Sequence, residues 1–327
     1  MIKSSTAYTP GLLRTIFRQS YLVSLLLLIG AVLINYALQP NFFRPGVLNG
    51  NLQTFLPLML LAAGQAVVVI AGGIDLSVGA IISLVNVVIV RLLGTHAGPT
   101  EILLAIGAGL LCGVLAGAFN GICVAYLRFQ PIVTTFASSF VFSGLALWIM
   151  PSPGGSVPSA LMDVFQGRLL GIPSALLIIV VILLLWNLLR ATRYSRYLYA
   201  VGGQAMSAYI TGVPVTRIRL SSYMLSGLMA ALSALALVLG TGTGDPLVGS
   251  PMTLTSIVAV VLGGTRLSGG QGGVAGPMIG AAILSIILNI IAFANVPTWW
   301  QTLVNGLIVM IALAGPGLIA LVRRQPA

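Results

Sequence analysis

The chain has 327 residues, of which 58% are hydrophobic and only 6% are charged. A soluble domain normally carries about 25% charged residues, so 15 basic and 4 acidic side chains cannot cover a soluble surface of this size. The composition excludes a soluble enzyme and predicts an all-α polytopic membrane protein in a lipid bilayer.

Charge-free apolar runs mark the candidate transmembrane helices, because a helix needs about 20 apolar residues to cross the hydrocarbon. In chain order the runs are 19–43, 45–74, 76–90, 102–127, 129–162, 169–189, 220–244, 246–265 and 267–322. The last run is long enough for two helices, with a break near residues 295–297. About ten spans are therefore predicted. The run 246–265 either crosses the membrane fully or forms a re-entrant segment.

The basic residues predict the orientation of these spans. With a cytoplasmic N-terminus and ten crossings, twelve of the 15 basic residues fall inside, and only Arg44, Arg91 and Arg168 fall outside. Both termini are then cytoplasmic. The formal charge of +11 reflects this topology and gives no support for nucleic-acid binding.

The first apolar segment reads as a membrane span and not as a cleavable signal. Segment 21–38 is longer than a signal-peptide core, and no small-residue cleavage site follows it. We expect a cytoplasmic tail at 1–19, a single transmembrane domain at 20–322 and a second cytoplasmic tail at 323–327.

The pentapeptide LSGGQ at 267–271 is the signature of ABC-type ATPase domains. An ATPase also needs a phosphate-binding GxxxxGK[ST] loop, but the one lysine, Lys3, has no glycine before it. The four acidic residues are isolated from each other, and the single histidine, His96, falls in a predicted outer loop. We therefore expect no nucleotide, metal or other cofactor on this chain, and no catalytic residues.

Glycines recur every four residues on the fourth predicted helix, at Gly109, Gly113, Gly117 and Gly121. This spacing places them on one helix face, where a second helix can approach closely. We interpret the face as a packing surface. The alternative is a pathway lining in which the adjacent Asn120 is the polar member.

The stretch AGGIDLSVGA at 71–80 ends one helix and begins another. Two glycines break the first helix, and Asp75 precedes the next apolar run, where a carboxylate can accept bonds from free amides. We interpret Asp75 as a cap on a tight turn at the inner membrane face, with a role in gating or subunit contact as the alternative. A proton- or sodium-coupled carrier usually has several intramembrane ionisable groups, so this class is disfavoured.

Three motifs follow one another along the chain: AGGIDLSVGA at 71–80, YAVGGQAMSAYITGV at 199–213 and VVLGGTRLSGGQGGVAGPMIGA at 260–281. In this order and spacing they resemble the permease subunit of bacterial sugar ABC importers, the ribose/galactose/xylose-type family. The resemblance extends over about residues 20–320. One departure is GGQ at 202–204, where relatives often carry GGN.

The resemblance implies a type II ABC importer fold, like that of the vitamin B12 importers, in the bacterial inner membrane. It implies a transport subunit and not an enzyme, paired with a second permease copy or a paralogue. A partner ABC ATPase would bind ATP and Mg²⁺, and a periplasmic binding protein would deliver a pentose, hexose or related polyol. The alternatives are a permease of the same superfamily for nucleosides or branched-chain amino acids and, less favoured, a secondary carrier.

The resemblance also assigns candidate sites to named residues. Two inner segments, 203–212 and 264–273, are expected to form the coupling surface to the ATPase, or else to be ordinary turns. The coupling residues are Gln204, Ala205, Ala208, Gly212, Thr265, Arg266, Leu267, Ser268 and Gly269. The candidate pathway or gate residues are Asp75, Asn86, Asn120, Thr134, Thr135, Phe136 and Ser139. Each of these could instead hydrogen-bond between helices.

Overall fold

The computed structural model describes residues 20–94, 97–169 and 171–294, and the single positions 297, 300, 303, 306, 307 and 310. The helices are α1 (Ser20–Leu38), α2 (Pro45–Ile70), α3 (Val78–Leu92), α4 (Pro99–Ala125), α5 (Pro131–Ile149), α6 (Ser159–Gln166), α7 (Ser174–Arg190), α8 (Arg193–Gly203), α9 (Ala205–Ile210), α10 (Val215–Thr241), α11 (Met252–Leu262) and α12 (Ala275–Phe293). A short antiparallel pair, β1 (Arg168–Leu169) and β2 (Ile172–Pro173), precedes α7.

Five of these helices are long and apolar enough to cross a membrane: α2, α4, α5, α10 and α12. A sixth span is present if α7 and α8, which are bent by 81° at their junction, count as one. The prediction of an all-α polytopic membrane protein is therefore confirmed. Each of the first nine predicted spans contains a described helix. The predicted tenth span is described only at the single positions given above, and both tails and His96 lie outside the described residues.

Helix α2 forms the centre of the bundle. The share of buried residues in its most apolar window is 89%, against 28% for α4 and for α5. It packs against α10, α11 and α12, and Ser233 of α10 donates a hydrogen bond to the carbonyl oxygen of Pro57 at 2.7 Å. Because lipid covers an apolar helix surface as well as protein does, these packing contacts and not hydropathy account for the central place of α2.

The glycine stripe of α4 packs against α10. A Cβ atom on Gly113 would lie 2.5 Å from the carbonyl oxygen of Gly227, and one on Gly117 would overlap the carbonyl oxygen of Tyr223. The other two glycines of the stripe meet side chains, one of α3 and one of α10. The two backbones therefore touch, and this geometry favours the packing interpretation over a pathway lining.

The predicted span 246–265 is a short helix preceded by irregular backbone. Helix α11 has 11 residues and rises about 16 Å, which is too short to cross about 30 Å of hydrocarbon. The chain from 242 to 251, which we call the 242–251 segment, forms no helix. The segment runs along α3, so the span consists of an irregular half and a helical half.

Side chains of α3 satisfy the amides of the 242–251 segment. The Asp245 amide donates to Asn86 Oδ1 at 2.7 Å, and the Gly249 amide donates to Ser83 Oγ at 3.0 Å. Irregular backbone is stable at membrane depth only where the protein itself supplies hydrogen-bond partners. Asn86 was a candidate pathway residue, and the structure shows it holding this segment.

Candidate coupling and pathway site

The three sequence motifs meet at one end of the bundle, which we call the basic end because its segments 126–130, 190–219 and 263–274 carry seven of the described arginines. Each motif contributes one pair of adjacent glycines, and the three pairs converge there. We call these six residues the glycine junction: Gly72, Gly73, Gly202, Gly203, Gly269 and Gly270.

The backbones in the glycine junction are in direct contact. A Cβ atom on Gly202 would overlap the carbonyl oxygen of Ile70, the last residue of α2. The Gly270 amide donates to that same oxygen at 3.0 Å. A Cβ atom on Gly269 would lie 2.9 Å from the Cα atom of Gly72. The end of α2, the end of α8 and the loop before α12 are thus joined without intervening side chains.

Three glycines of the junction also have left-handed backbone, and one of them is Gly269 with a φ of 85°. Gly72 has a φ of 83° and Gly270 a φ of 68°, a region that side chains with a Cβ atom rarely adopt. Gly72 ends α2 so that the chain can turn toward Asp75, and Gly270 turns the loop so that its amide reaches Ile70. The glycines of two motifs are therefore needed both for conformation and for close contact.

The predicted coupling residues divide by exposure. Gln204, Gly212, Arg266 and Ser268 are exposed, Ala205 and Leu267 are half-buried, and Ala208, Thr265 and Gly269 are buried. The three buried residues cannot contact a partner through their side chains. Thr265 instead shapes its loop, since its hydroxyl accepts from the Gly273 amide at 3.3 Å and donates to the Gly273 carbonyl at 3.2 Å.

The named coupling residues leave out three exposed apolar side chains of the predicted segment 203–212. On α9, Met206, Tyr209 and Ile210 are 65%, 68% and 74% exposed. Large apolar side chains at a water-facing loop are unusual unless a partner covers them. The available signal was their position between Gln204 and Gly212 in a loop that hydropathy placed outside the membrane.

The Asp75 carboxylate lies at the centre of a second cluster, next to the glycine junction. Its side chain is fully buried, and Oδ1 accepts hydrogen bonds from the Ser77 amide at 2.9 Å and the Ser77 hydroxyl at 2.6 Å. Oδ2 accepts from the Ser226 hydroxyl of α10 at 3.3 Å. Asp75 thus holds the turn before α3, as expected of a cap. Because α3 begins at Val78, however, Ser77 occupies the capping position itself.

Three further helices supply polar groups to the 71–77 turn. Asn120 of α4 donates to the Ser77 hydroxyl at 2.7 Å. Thr135 of α5 accepts from the Leu76 amide at 3.0 Å. In the orientation that satisfies its amide, Gln65 of α2 donates to the Asp75 carbonyl at 3.1 Å and accepts from the Asp75 amide at 3.3 Å. The turn is therefore a polar point at which α2, α4, α5 and α10 meet.

The structure brings together some of the candidate pathway residues and separates others. Asp75, Asn120 and Thr135 share the 71–77 turn. Asn86 lies along α3, away from it. Thr134 and Ser139 are half-buried on α5, and the Phe136 ring is 54% exposed. The missed members of the turn cluster are Gln65, Ser77 and Ser226. Ser77 stands in the first motif, two residues after Asp75, whereas nothing in their local sequence distinguishes Gln65 and Ser226 from ordinary helix residues.

Known permeases resemble the chain over most of its length. A family model described as "Branched-chain amino acid transport system / permease component" matches residues 48–313. The ribose import permease protein RbsC of Escherichia coli (strain K12) is 33% identical over 304 residues, which cover 91% of this chain and 93% of the relative. The chain belongs to this permease family.

Other relatives of the permease import different compounds. The fructose import permease protein FrcC of Rhizobium meliloti is 30% identical over 302 residues, 89% of this chain and 83% of the relative. The autoinducer 2 import system permease protein LsrC of Escherichia coli (strain K12 / DH10B) is 34% identical over 263 residues, 80% of this chain and 76% of the relative. The chain is accordingly a transport component and not an enzyme, and its apolar helices make it a multi-pass membrane protein.

Proposed function

We propose that the permease is the transmembrane subunit of an ATP-driven importer that moves a sugar into the cytoplasm of a bacterium. The relatives named for ribose and fructose import support the substrate class. The observation that carries the coupling role is the glycine junction, where two exposed loops contact the end of a membrane helix backbone to backbone.

The proposed assembly follows the family. Two permeases, identical or paralogous, pack around a pathway in the inner membrane with a type II fold of about ten spans. The basic end faces the cytoplasm, because basic loops are retained on that side. An ABC ATPase subunit docks there and binds the ATP and Mg²⁺. A periplasmic binding protein delivers the sugar to the opposite end, where the loop 150–173 and the start of the 242–251 segment lie.

The docking surface for the ATPase is formed by α9 and the loop 266–272. The apolar side chains Met206, Tyr209 and Ile210 are positioned to enter a groove on the partner, as the anchors of a short helix do. Arg266 and Ser268 are exposed on the neighbouring loop. The two elements reach the same junction, so an ATPase that moves one of them moves the other.

Movement of the ATPase would then reach the pathway through closely packed backbone contacts. Movement of Gly202 or Gly270 displaces the Ile70 carbonyl at the end of α2. The 71–77 turn follows α2 directly, and its Leu76 amide is bonded to Thr135 on α5. Closely packed elements shift between discrete arrangements, so closure of the ATPase would move the start of α5 as a unit.

The exposed face of α5 is the proposed pathway lining. Phe136 and Ser139 lie on the flank of α5 that faces away from α4, and neither is fully buried. Weak polar and aromatic contacts of this kind suit a sugar that has to leave as readily as it enters. The fully buried Asp75 and Asn120 then act as supports of the turn that moves α5.

Reconstitution of the permease with its ATPase and binding protein tests the coupling role. The Arg266→Glu variant should insert normally and leave ATP hydrolysis running, while ATP-dependent sugar uptake falls at least about tenfold. Arg266→Lys, which keeps the charge, is the matched control and should retain uptake. Normal uptake by Arg266→Glu would contradict the placement of this loop at the ATPase.

The substrate class is tested separately on the binding protein encoded beside the permease. A thermal-shift screen against pentoses, hexoses, polyols, nucleosides and branched-chain amino acids should show stabilisation by a sugar alone. Stabilisation by leucine or valine would favour the class that the family description names. Uptake that continues without ATP would favour a secondary carrier.

A further inference from the structure

A cavity of about 590 Å³ at the basic end carries two arginines. Arg128 comes from the loop between α4 and α5, and Arg219 comes from the second turn of α10. No aspartate or glutamate lines this cavity. Two positive charges that converge without an acidic partner favour an anionic ligand.

The backbone and the remaining polar groups of the cavity are consistent with an anion site. Arg128 has a φ of 59°, and it is the one non-glycine residue in the described part of the chain with a positive φ. Such a conformation costs energy and persists where the surroundings hold it. Tyr223 also lines the cavity, and its buried hydroxyl has no hydrogen-bond partner in the described structure. The side chains of Gln130 and Thr216 add further donors.

An apolar groove between α4 and α5 leads away from this cavity. Phe129 and Gln130 line both the arginine cavity and a second cavity of about 460 Å³. Phe119 and Val141 line both that second cavity and a third one of about 520 Å³. The third cavity extends to Leu145.

The groove has the depth of a membrane leaflet. Along α5 it extends over 12 residues from Val133 to Leu145, a rise of about 18 Å. Half of a hydrocarbon core is about 15 Å thick. Its walls on α4 are the exposed apolar residues Leu111, Leu115 and Phe119, which face away from the bundle.

We propose that this cavity and groove bind one anionic phospholipid of the cytoplasmic leaflet. The phosphate lies between Arg128 and Arg219, and one acyl chain lies in the groove along α4 and α5. Basic pockets between transmembrane helices on the cytoplasmic side recognise anionic headgroups in this way. The groove selects a lipid over a soluble anion, because a soluble phosphate would leave these apolar walls uncovered.

The lipid would also touch the proposed coupling helix. Ala205, Met206 and Tyr209 of α9 line the arginine cavity beside the two arginines. A bound headgroup would therefore hold α9 against the ends of α4 and α10. This consequence rests on the proposed function, whereas the binding of the lipid does not.

The test is native mass spectrometry of the full-length permease in detergent with added phosphatidylglycerol or phosphatidylcholine. We expect one phosphatidylglycerol to be retained in preference to phosphatidylcholine. Each arginine near an anionic headgroup contributes about fivefold in affinity, so the double variant Arg128→Gln/Arg219→Gln should lose about 30-fold. The matched control Arg193→Gln/Arg196→Gln removes two exposed charges of the same end outside the cavity and should leave retention unchanged.

Two further arms identify the occupant without touching the arginines. Ala137 lines the groove, so Ala137→Phe should weaken phosphatidylglycerol retention while the arginines stay intact. Glycerol phosphate, which is the headgroup without the chains, should not displace the lipid at equal concentration. Three results would each overturn the proposal. The two double variants could lose phosphatidylglycerol retention equally, the wild type could retain phosphatidylcholine as well as phosphatidylglycerol, or glycerol phosphate could displace the lipid. If the size-exclusion profile shows that the Arg128→Gln/Arg219→Gln variant does not fold, phosphatidylglycerol retention by Ala137→Phe decides the proposal.

Discussion

The glycine junction and the 242–251 segment both place non-helical backbone against helices, yet they are held in different ways. In the junction, the Ile70 carbonyl contacts Gly202 and Gly270 directly, with no side chain between the backbone segments. In the segment, side chains of α3 reach across to the amides of Asp245 and Gly249. The segment has two direct glycine contacts of its own: Gly79 lies against Gly249, and Gly244 exchanges backbone hydrogen bonds with Gly154.

This difference predicts that the 242–251 segment can adapt to small displacements and that the glycine junction transmits movement. A side chain that bonds to an amide can change rotamer and follow a small displacement. Two backbones in contact cannot do so, because close-packed atoms have no free volume between them. We therefore expect the junction to move as a rigid unit with the ATPase, and the 242–251 segment to relax locally.

The largest effect should come from Gly202→Ala. The added methyl group would overlap the Ile70 carbonyl, and a backbone atom cannot move aside as the tip of a side chain can. Overpacking of this kind costs more than about 3 kcal/mol. Thermal unfolding of the purified permease in detergent should show a large loss of stability, and ATP-driven uptake should be lost with it.

Gly203→Ala is the matched control for this variant. Gly203 follows Gly202 in sequence but has open space where a Cβ atom would be, and its backbone is not in the left-handed region. Stability and uptake should stay close to those of the wild type. If both alanine variants unfold at the same temperature, the junction is not the rigid contact described above.

A smaller loss of stability is expected from Asp75→Ala, at the turn that connects the junction to α5. The substitution leaves the buried Ser77 amide and hydroxyl and the Ser226 hydroxyl without their acceptor, at a cost of about 2 kcal/mol. Asp75→Asn keeps an acceptor oxygen and should recover at least half of that loss in thermal unfolding. Equal stability of the two variants would show that the hydrogen bonds do not hold the turn.

Hydropathy and charge were sufficient to predict the helices, because a lipid environment leaves a spanning backbone few alternatives to a helix. Each of the first nine predicted spans contains a described helix, and five or six of these helices are long and apolar enough to cross a membrane. The four-residue spacing of Gly113 and Gly117 predicted their close approach to another helix. The irregular half of the span 246–265 was not predictable. Its amides are satisfied by Ser83 and Asn86, which are about 160 residues away in sequence.

For the proposed coupling surface, the sequence indicated segments of the chain but not which of their side chains are exposed. The motifs indicated where α9 and the loop 266–272 lie, but exposure within each loop depends on tertiary contacts. Ala208 and Thr265 turned inward, while Tyr209 turned outward. The clearest unused signal was the glycine pair that all three motifs contain, since paired glycines in separate loops are typical of backbones that meet.

Asn86→Ala is expected to have an intermediate effect, confined to the 242–251 segment. It removes the acceptor of the Asp245 amide, and one unsatisfied buried amide costs about 1 kcal/mol. Hydrogen exchange should accelerate for the amides of residues 245–249 and remain unchanged at the glycine junction. Asn86→Asp keeps the acceptor and should exchange as slowly as the wild type. Faster exchange at both places would mean that the two regions open together.

The smallest effect should come from Tyr199→Phe, which loosens the edge of the junction without touching its glycines. The Tyr199 hydroxyl donates to the Gly272 carbonyl at 2.7 Å and so ties α8 to the loop before α12 by a side chain. The bond is partly exposed, and water can replace the lost donor, so the loss should be about 0.5 kcal/mol. If the glycine contacts carry the coupling, uptake per ATP hydrolysed by this variant should equal that of the wild type. A reduced ratio with unchanged thermal stability would instead show that the side-chain tie, and not the backbone contact, transmits the force.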